Sequence, residues 1–351
     1  MAEDVTSNPN HLPDSRPLRV LITGGAGFIG SHLSELLLDQ GHAVTVVDNF
    51  STGRRENPRI VGSSAARCER YRVIEGNASE VVPSLEARDF DCVYHLAAAV
   101  GVRLVVEKPI HTIETNITEA SAVLRFAAAR SLPILVASTS EVYGKGVRVP
   151  MREDDDVVYG STAYSRWCYA CSKAIDEYLA LAYHREQGLP AVIVRFFNTV
   201  GPRQIGDYGM VLPRFVQAAL AGVDLEVHGD GTQSRCFCDV RDVVSALPTL
   251  LARPACRGRV FNLGREEPIS ILELARLVIR TLGSRSGIRM IPYEQAFTVG
   301  FDDLMVRQPD LTRIRDAVGF TPRISLDQTI RDIADEQRRA SAAVLSGGAT
   351  C

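Results

Sequence analysis

The sequence predicts an α/β fold in which a doubly wound parallel sheet is followed by a smaller C-terminal α/β lobe. Three observations support this fold. Short apolar segments alternate with helical periodicity up to about residue 200, a glycine-rich loop joins the first strand to the first helix, and glycine and proline become denser beyond Pro202. Short, mostly apolar strands separated by helices are typical of a parallel sheet that is covered on both faces.

Apolar runs and their spacing place the elements along the chain. Strands are predicted at residues 18–23, 43–48, 71–75, 92–96, 133–138 and 191–196. Helices are predicted at residues 31–40, 212–221, 271–282 and 326–339, and a long helix precedes the sixth strand. The predicted division is a disordered N-terminal segment, a sheet domain, a smaller lobe and a flexible tail, at residues 1–17, 18–202, 203–339 and 340–351.

Composition excludes several classes of protein. The chain has 351 residues, of which 46% are hydrophobic, and a formal net charge of -3. It has no block of lysine and arginine, so a nucleic-acid partner is not expected. It has no run of roughly 18 apolar residues and residues 1–17 are polar, which predicts no membrane partner and a cytoplasmic location. The eight cysteines lack the paired spacing of a zinc site, so no metal is expected.

The glycine-rich loop at residues 24–30 is the first motif with a chemical function. Its glycines are spaced Gly-x-x-Gly-x-x-Gly between a strand and a helix, a context in which the backbone and the helix N-terminus bind a pyrophosphate. Asp48 ends the next strand, where a carboxylate holds ribose hydroxyls and repels a 2′-phosphate, which favours NAD over NADP. A Rossmann-type NAD-binding domain is therefore expected at residues 18–202. Its predicted cofactor contacts include Gly24, Gly27, Phe28, Ile29, Gly30 and Asp48.

Tyr169 and Lys173 lie one helical turn apart and indicate proton transfer. An isolated phenol has a pKa of about 10, so it needs a nearby cation to act as a base at neutral pH. Lys173 is predicted to be that cation, and Thr139 is predicted to share the proton through a hydrogen bond. If NAD accepts a hydride from a substrate carbon, Tyr169 is the candidate base for the hydroxyl proton on the same carbon.

Several motifs together resemble the extended short-chain dehydrogenases that act on nucleotide sugars. They are the glycine loop, Asp48-Asn49, His-Leu-Ala-Ala at 95–98, Ser-Thr-Ser-Glu at 138–141, Tyr169-x-x-x-Lys173 and Arg-Phe-Phe-Asn-Thr-Val-Gly-Pro-Arg at 195–203. The resemblance runs from about residue 18 to residue 335. Within that family, the motifs at 139–141, 229–235 and 307–310 are most similar to those of the UDP-glucuronic acid decarboxylases, also called UDP-xylose synthases.

The resemblance implies further cofactor contacts and an oligomeric state. The additional cofactor contacts are Asn49, Asn77, Leu96, Ala97, Tyr169 and Lys173. Asn77 stands where many relatives have an aspartate that contacts adenine, and an amide makes a similar hydrogen bond without the charge. The helices at 116–130 and 169–187 resemble those that form a dimer contact in the family, so a homodimer is expected.

The resemblance also implies roles around the substrate. Glu141 and Arg235 are expected to orient and protonate a carbanion, and Ser140 is expected to contact the region of the substrate carboxylate. The residues expected to bind the nucleotide sugar are Asn198, Arg235 and Arg307. Arg103 is expected to pair with a carboxylate of the substrate.

These roles imply an NAD-dependent UDP-glucuronic acid decarboxylase. Oxidising carbon 4 of a glucuronate gives a ketone β to the carboxylate, and a β-keto acid loses carbon dioxide readily, giving a UDP-4-keto-pentose or UDP-xylose. Three alternatives remain: a 4-epimerase of a UDP-uronic acid or UDP-hexose, a 4,6-dehydratase, and a non-catalytic NAD-binding module. Ser140 is a poor acid, which argues against the dehydratase, whereas residues 98–103 differ from the decarboxylases in a loop that lies near the sugar.

Overall fold

The computed structural model describes residues 16–206, 210–292 and 305–347, with side chains described in the same ranges except 102–104 and 342–347. Within these ranges the strands are β1 (Arg19–Thr23), β2 (Ala43–Asp48), β3 (Tyr71–Glu75), β4 (Cys92–His95), β5 (Ile134–Thr139), β6 (Ala191–Phe196), β7 (Thr199–Val200), β8 (Leu225–His228), β9 (Ser234–Arg235), β10 (Cys238–Asp239), β11 (Arg259–Leu263), β12 (Ile269–Ser270), β13 (Ile288–Ile291) and β14 (Val306–Arg307). The helices are α1 (Phe28–Asp39), α2 (Glu56–Val61), α3 (Ala65–Cys68), α4 (Ala78–Val81), α5 (Val102–Glu107), α6 (Pro109–Ala128), α7 (Arg166–Gln187), α8 (Val211–Ala221), α9 (Val240–Ala252), α10 (Ile271–Leu282), α11 (Thr312–Val318) and α12 (Leu326–Gly347).

A parallel sheet forms the centre of the first lobe and confirms the predicted fold class. In the described part of the chain its seven strands lie in the order β11-β6-β5-β4-β1-β2-β3. β1 lies between β2 and β4, and its register pairs Thr23 with Val47 on one side and with His95 on the other. The direction of the strand order reverses at this point. In sheets of this kind ligands bind at the carboxyl ends of the strands beside such a reversal.

Apolar residues of the central strands supply both faces of the sheet. Val20 and Ile22 of β1 belong to one core, together with residues of α1 and α9. Leu21, between them, belongs to the core on the opposite face, together with residues of α6. Successive side chains of a strand point to opposite faces, so a fully apolar strand requires cover on both. Each fully buried leucine or isoleucine stabilises the fold by about 1.5–3 kcal/mol.

The strand boundaries agree closely with the sequence. The strands predicted at 43–48, 71–75 and 191–196 have those bounds, the strands predicted at 18–23 and 92–96 differ by one residue at one end, and the strand predicted at 133–138 is shifted by one residue. α12 continues to Gly347 and so includes the first part of the tail predicted at 340–351, whose flexibility stays a prediction. Alanine is frequent in this stretch and favours helix. Residues 1–15 and 348–351 lie outside the described residues.

The second lobe has its own core, yet it also contributes to the first. α8, α10 and α12 pack together beside the short sheets formed by β8 with β13 and by β9 with β12 and β14. β11 instead pairs with β6, and α9 packs in the core that contains α1. The predicted division at residue 202 therefore does not coincide with an edge of the central sheet. None of the described helices has the length and apolarity needed to cross a membrane.

Candidate active site

A cavity of about 1030 Å³ lies between the carboxyl edge of the central sheet and the second lobe. The glycine loop and the ends of β2, β4 and β5 line one side, and residues of α8, β9 and β14 line the other. This volume is at the upper end of the roughly 300–1,000 Å³ that is typical of a single-ligand pocket. The cavity therefore has room for a dinucleotide and part of a second ligand.

Close packing explains the glycines of the loop between β1 and α1. Gly24 has φ +73°, and a Cβ added there would lie 2.6 Å from the backbone nitrogen of Ala97. A Cβ on Gly30 would lie 2.6 Å from the Cα of Gly25. Gly27 precedes α1 and offers no side-chain cap, so the N–H groups of the first turn remain available at the cavity wall. This arrangement fits the pyrophosphate of a dinucleotide.

Asp48, at the end of β2, is the carboxylate predicted to bind ribose. Its Oδ2 accepts a hydrogen bond from the N–H of Ala26 at 2.9 Å, and its Oδ1 accepts one from the N–H of Phe50 at 2.8 Å. Burial raises the pKa of Asp48, and these N–H groups oppose the rise. Asp48 lines the cavity, as do Phe28 and Ile29 in the first turn of α1. A carboxylate and a helix N-terminus thus lie together, as the adenosine half of NAD requires.

Asn49 and Asn77 are joined side chain to side chain. Nδ2 of Asn49 donates to Oδ1 of Asn77 at 2.8 Å, and Nδ2 of Asn77 donates to Oε1 of Glu80 at 3.1 Å. Asn49 lines the cavity, and the wall beyond it is provided by Gly76 and Ala78, the neighbours of Asn77. The structure therefore places Asn77 behind Asn49, whose amide it orients.

The residues after β4 complete the cofactor side of the cavity. Leu96 and Ala97 both line it, and the N–H of Leu96 donates to the carbonyl oxygen of Thr23 at 3.0 Å. His95 is buried, with Nδ1 2.8 Å from Oγ1 of Thr23. Burial, together with the charge of Lys173, lowers the pKa of His95 to about 3. The ring is therefore neutral and supports the ends of β1 and β4.

Tyr169 lies near the N-terminus of α7 and lines the cavity beside Thr139, the last residue of β5. Burial raises the pKa of Tyr169 well above its ordinary value, and the charge of Glu141 raises it further. A hydrogen bond with Thr139 lowers it in part. Oγ1 of Thr139 also accepts from the N–H of Glu141 at 3.2 Å. The phenol is neutral at pH 7 in this environment, and Thr139 is in place to share its proton.

Lys173 has a partner that its spacing from Tyr169 does not predict. Its Nζ donates to Oδ2 of Asp176 at 2.7 Å, and the two side chains are only 2% and 1% exposed. Lys173 was expected to lower the pKa of Tyr169, but in the structure that pKa is raised. Burial is the main cause of the raised pKa, and the anions Glu141 and Asp176 raise it further.

Glu141 is surrounded by arginines. Its Oε1 lies 2.7 Å from Nη2 of Arg307, and its Oε2 lies 3.6 Å from Nη2 of Arg166. Burial alone would raise the pKa of Glu141, but Arg307, Arg166 and Arg235 together hold it below its ordinary value. Glu141 is therefore an ionised carboxylate here. In this state it accepts hydrogen bonds and orients its neighbours, and it has no proton to donate to a carbanion.

The other predicted substrate residues surround this carboxylate. Arg235 and Arg307 are buried side chains of β9 and β14, and both line the cavity. Ser140 is buried in the turn after β5 and lines the cavity as well. The Oδ1 atom of Asn198 is buried at the cavity and has no hydrogen-bond partner in the described part of the chain. A polar ligand in the cavity would satisfy it.

Arg166 is a site residue that the sequence reasoning missed. It begins α7, is 6% exposed, lines the cavity and faces Glu141. The sequence feature that could have identified Arg166 is its position three residues before Tyr169, which puts both side chains on one face of the helix. Arg103 was predicted instead. Its backbone lies in α5, but its side chain falls outside the described side chains, so its pairing with a carboxylate stays a prediction.

The described residues contain no group of histidine, cysteine, aspartate and glutamate arranged to hold a metal ion. The described cysteines are all free, and four of them are buried. Burial raises the pKa of Cys92 and Cys236 to about 12, so these thiols stay protonated. They act as packing residues, and the polar chemistry of the cavity comes from oxygen and nitrogen groups.

Comparison with known proteins identifies relatives of the whole chain. A relative from Bacillus cytotoxicus named UDP-N-acetyl-alpha-D-glucosaminuronate decarboxylase is 41% identical over 315 residues, 90% of this chain and 96% of that protein. UDP-glucuronic acid decarboxylase 1 of Danio rerio is 36% identical over 313 residues, 88% of this chain and 70% of that protein. The crystal structure of UDP-glucuronic acid 4-epimerase from Bacillus cereus, in complex with UDP-glucuronic acid and NAD, has a TM-score of 0.81 at 27% identity and covers 92% of this chain and all of that one.

A family model agrees with the geometry of the cavity. The model described as the NAD dependent epimerase/dehydratase family matches residues 20–264, which include the glycine loop, Asp48 and the Tyr169–Lys173 pair. The loop fits a pyrophosphate and Asp48 fits the ribose, so NAD is the cofactor that these residues hold. The chain belongs to the NAD dependent epimerase/dehydratase family.

Proposed function

We propose that this chain is an NAD-dependent decarboxylase of a UDP-linked hexuronic acid, with UDP-glucuronic acid as the first candidate substrate. The observation that carries the proposal is the group of three buried arginines, Arg166, Arg235 and Arg307, around Glu141 beside Tyr169. Arginine binds carboxylates through two parallel hydrogen bonds, so a group of arginines that lines the cavity suits a sugar that carries its own carboxylate.

The residues have distinct tasks in this reaction. NAD supplies the hydride acceptor. Tyr169, as the phenolate that a bound nicotinamide cation would favour, accepts the proton of the hydroxyl on carbon 4, and Thr139 shares it through their hydrogen bond. The new ketone is β to the carboxylate, so the bond from carbon 5 to the carboxyl carbon breaks and its electron pair enters an enolate. The arginines stabilise that negative charge, and a solvent proton added to carbon 5 gives the UDP-4-keto-pentose, or UDP-xylose when the hydride removed earlier is returned to carbon 4.

A second substrate also has an observation in its favour. The Bacillus cytotoxicus relative is named for UDP-N-acetyl-alpha-D-glucosaminuronate, whereas the Danio rerio relative is named for UDP-glucuronic acid. The two sugars share the reacting carbons and differ at carbon 2. The cavity wall at residues 97–101 consists of alanine, valine and glycine. The acetamido sugar is therefore the second candidate.

The test is a direct comparison of the two nucleotide sugars. The purified chain is incubated with NAD and either substrate at equal concentration, the sugars are followed by proton NMR, and carbon dioxide is collected. Carbon dioxide with a UDP-pentose or its 4-keto form supports the decarboxylase, and the faster substrate identifies the substituent at carbon 2. Epimerised UDP-uronic acid with all carbon retained would contradict it and support the 4-epimerase. The variant Tyr169→Phe serves as the inactive control.

We also propose a homodimer formed through α6 and α7. Two pairs of apolar side chains, each pair three residues apart on its helix, are exposed on these packed helices: Ile110 at 72% and Ile113 at 37%, and Ile175 at 44% and Tyr178 at 65%. Exposed apolar groups of this kind mark protein–protein contacts. Sedimentation velocity of the full chain tests it. The double variant Ile110→Asp with Tyr178→Glu is expected to sediment as a monomer, and a monomeric parent chain would overturn the proposal.

A cytoplasmic location is part of the same proposal. UDP-linked sugars and NAD are both intracellular metabolites in the reaction proposed above. The described cysteines are free thiols, which a reducing compartment maintains. Fractionation of cells that express the chain, followed by immunoblotting, tests the location, and recovery in the membrane or extracellular fraction would contradict it.

A further inference from the structure

Asp176 is a buried carboxylate that the proposed chemistry does not use. It lies on α7, three residues after Lys173, and its Oδ2 accepts the hydrogen bond from Nζ at 2.7 Å. The two side chains are 1% and 2% exposed. Its other oxygen, Oδ1, is buried and has no hydrogen-bond partner in the part of the chain that the structure describes. The contacts of Asp176 are thus directed at the lysine of the Tyr169–Lys173 motif.

The neighbouring acid shows what a purely structural carboxylate looks like at this depth. Glu177 accepts from Nε of Arg195 at 2.9 Å and from Nη2 of Arg195 at 2.7 Å, and Oγ of Ser138 donates to its Oε1. Both oxygens of Glu177 are therefore occupied by groups on β5 and β6. Asp176 makes no comparable link to the sheet, so packing of α7 does not explain its charge.

A buried ammonium requires a counter-ion, because removing either charge from such a pair leaves the other desolvated and unpaired. The paired charges also largely cancel at a distance. The electrostatic potential that Lys173 produces at Tyr169, one turn away, is therefore less positive than that of an ammonium without a counter-ion. The other charged groups that act on Tyr169 are Glu141 of the turn after β5 and Arg307 of β14. Arg166 of α7 acts on Glu141, and the charge of Lys173 acts on the neutral His95 of β4.

We propose that Asp176 is a positioning residue of this site: its carboxylate fixes the ammonium of Lys173 on the buried face of α7 and offsets that charge one turn from Tyr169. The proposal rests on the proton-accepting role of Tyr169 in the proposed function. Asp176 is also among the groups that raise the pKa of Tyr169, which agrees with this geometry. Replacing Asp176 by asparagine keeps the shape and removes the charge. The phenolate of Tyr169 should then form at a lower pH.

The test measures protons released when NAD binds. The nicotinamide ring is a cation, so its binding beside Tyr169 favours the phenolate and expels a proton over a characteristic pH range. Isothermal titration calorimetry of the full chain with NAD, in buffers of different ionisation enthalpy, counts these protons across pH. The proton release that is lost in Tyr169→Phe is assigned to Tyr169. We expect Asp176→Asn to move the midpoint of that part to lower pH by about one unit.

Two further variants keep the result interpretable. Asp176→Glu retains the charge and is expected to keep the midpoint of the parent chain. Glu186→Gln removes a charge from the exposed end of the same helix and is also expected to leave it unchanged. The proposal is overturned if the midpoint in Asp176→Asn stays in place or rises. It is also overturned if Tyr169→Phe releases as many protons as the parent chain on binding NAD. Because the measurement uses NAD alone, it is independent of the substrate assay, and either proposal can fail without the other.

Discussion

The carboxylate of Glu141 lies 2.7 Å from the guanidinium of Arg307, and this ion pair joins the two lobes across the cavity. Glu141 belongs to the turn after β5, whereas Arg307 lies on β14 directly opposite Arg235 of β9. Two arginines in register repel each other, and a carboxylate between lobes offsets that repulsion. In the proposed reaction a substrate carboxylate would bind at the same pair of arginines, which both line the cavity.

Arg307→Met should lower kcat/KM for carbon dioxide release by about 100-fold, because it removes a preorganised cation from the developing enolate and leaves Glu141 with weaker partners. Steady-state assays of the proposed reaction measure the loss. Arg276→Met, at an exposed position of α10, removes the same charge far from the cavity and serves as the control. Activity of Arg307→Met within a few-fold of the parent would contradict the assignment.

Arg166→Met should make Glu141 easier to protonate. Arg166 and Arg307 both hold the pKa of Glu141 down against burial, so loss of either moves that pKa up. If the ionised carboxylate is the working form, the acid limb of the pH profile of kcat then moves to higher pH. Arg166→Lys keeps the charge and should restore most of the original limb. An unchanged profile in Arg166→Met would show that the 3.6 Å contact has no influence on the reaction.

Tyr169→Phe should lower kcat by about 10²- to 10⁴-fold, the usual contribution of a positioned base. The ring still fills its place on α7, so stability and NAD affinity should change little. Thermal unfolding and calorimetric NAD binding verify that the protein is folded and able to bind its cofactor. Full turnover without the hydroxyl would show that another group accepts the proton.

Gly30→Ala should abolish tight NAD binding, because its Cβ would meet the backbone of the loop, 2.6 Å from the Cα of Gly25. Backbone cannot give way as a side chain can, so the pyrophosphate-binding loop must shift. Gly188→Ala is the matched control: φ there is +69°, but no atom lies within 4 Å of its Cβ and it lies outside the cavity. It should lose about 1 kcal/mol of stability and keep its NAD affinity.

His32 should make the protein less stable in mild acid. Its Nε2 lies 2.9 Å from the carbonyl oxygen of Pro202, and burial, reinforced by Arg203, lowers its pKa from 6.5 to about 4. Below pH 6.5 His32 is protonated in the unfolded chain, whereas in the folded protein it stays neutral down to about pH 4. The free energy of unfolding therefore falls as pH decreases through this window. The loss is about 2 kcal/mol by pH 5.

Urea unfolding at about pH 7 and about pH 5 measures this loss. His32→Gln keeps a donor for the carbonyl oxygen of Pro202 but cannot titrate in this range, so its stability should depend less on pH. The buried His95 contributes a similar dependence in both proteins and cancels from the comparison. An equal loss in both proteins would assign the acid sensitivity to other groups.

Local signals made the cofactor half of the site predictable. The glycine loop, Asp48 and the apolar strands are each defined within a few residues, and the constraints on them are steric or periodic. The parallel sheet and the position of the cavity follow from these elements by general rules of α/β folds. The interior strands were therefore located to within one residue.

The substrate half depends on contacts between distant parts of the chain. The pairing of Glu141 with Arg307 arises only when β14 of the second lobe reaches the turn after β5. Arg166 is in contact with the same carboxylate, but its local sequence resembles that of any helix start. The pairing of Lys173 with Asp176 is local, since three residues separate them. The spacing of Lys173 from Tyr169 does not reveal this second partner.

The pairing of β11 with β6 bears on how the protein is synthesised. When residue 202 leaves the ribosome, β6 has a partner on one side only, and its outer N–H and C=O groups form an open edge that can pair with another chain. That edge closes only after Arg259–Leu263 has been made, when α9 can also cover the sheet beside α1. A fragment that ends at residue 202 would keep this edge of β6 open to pairing with another chain.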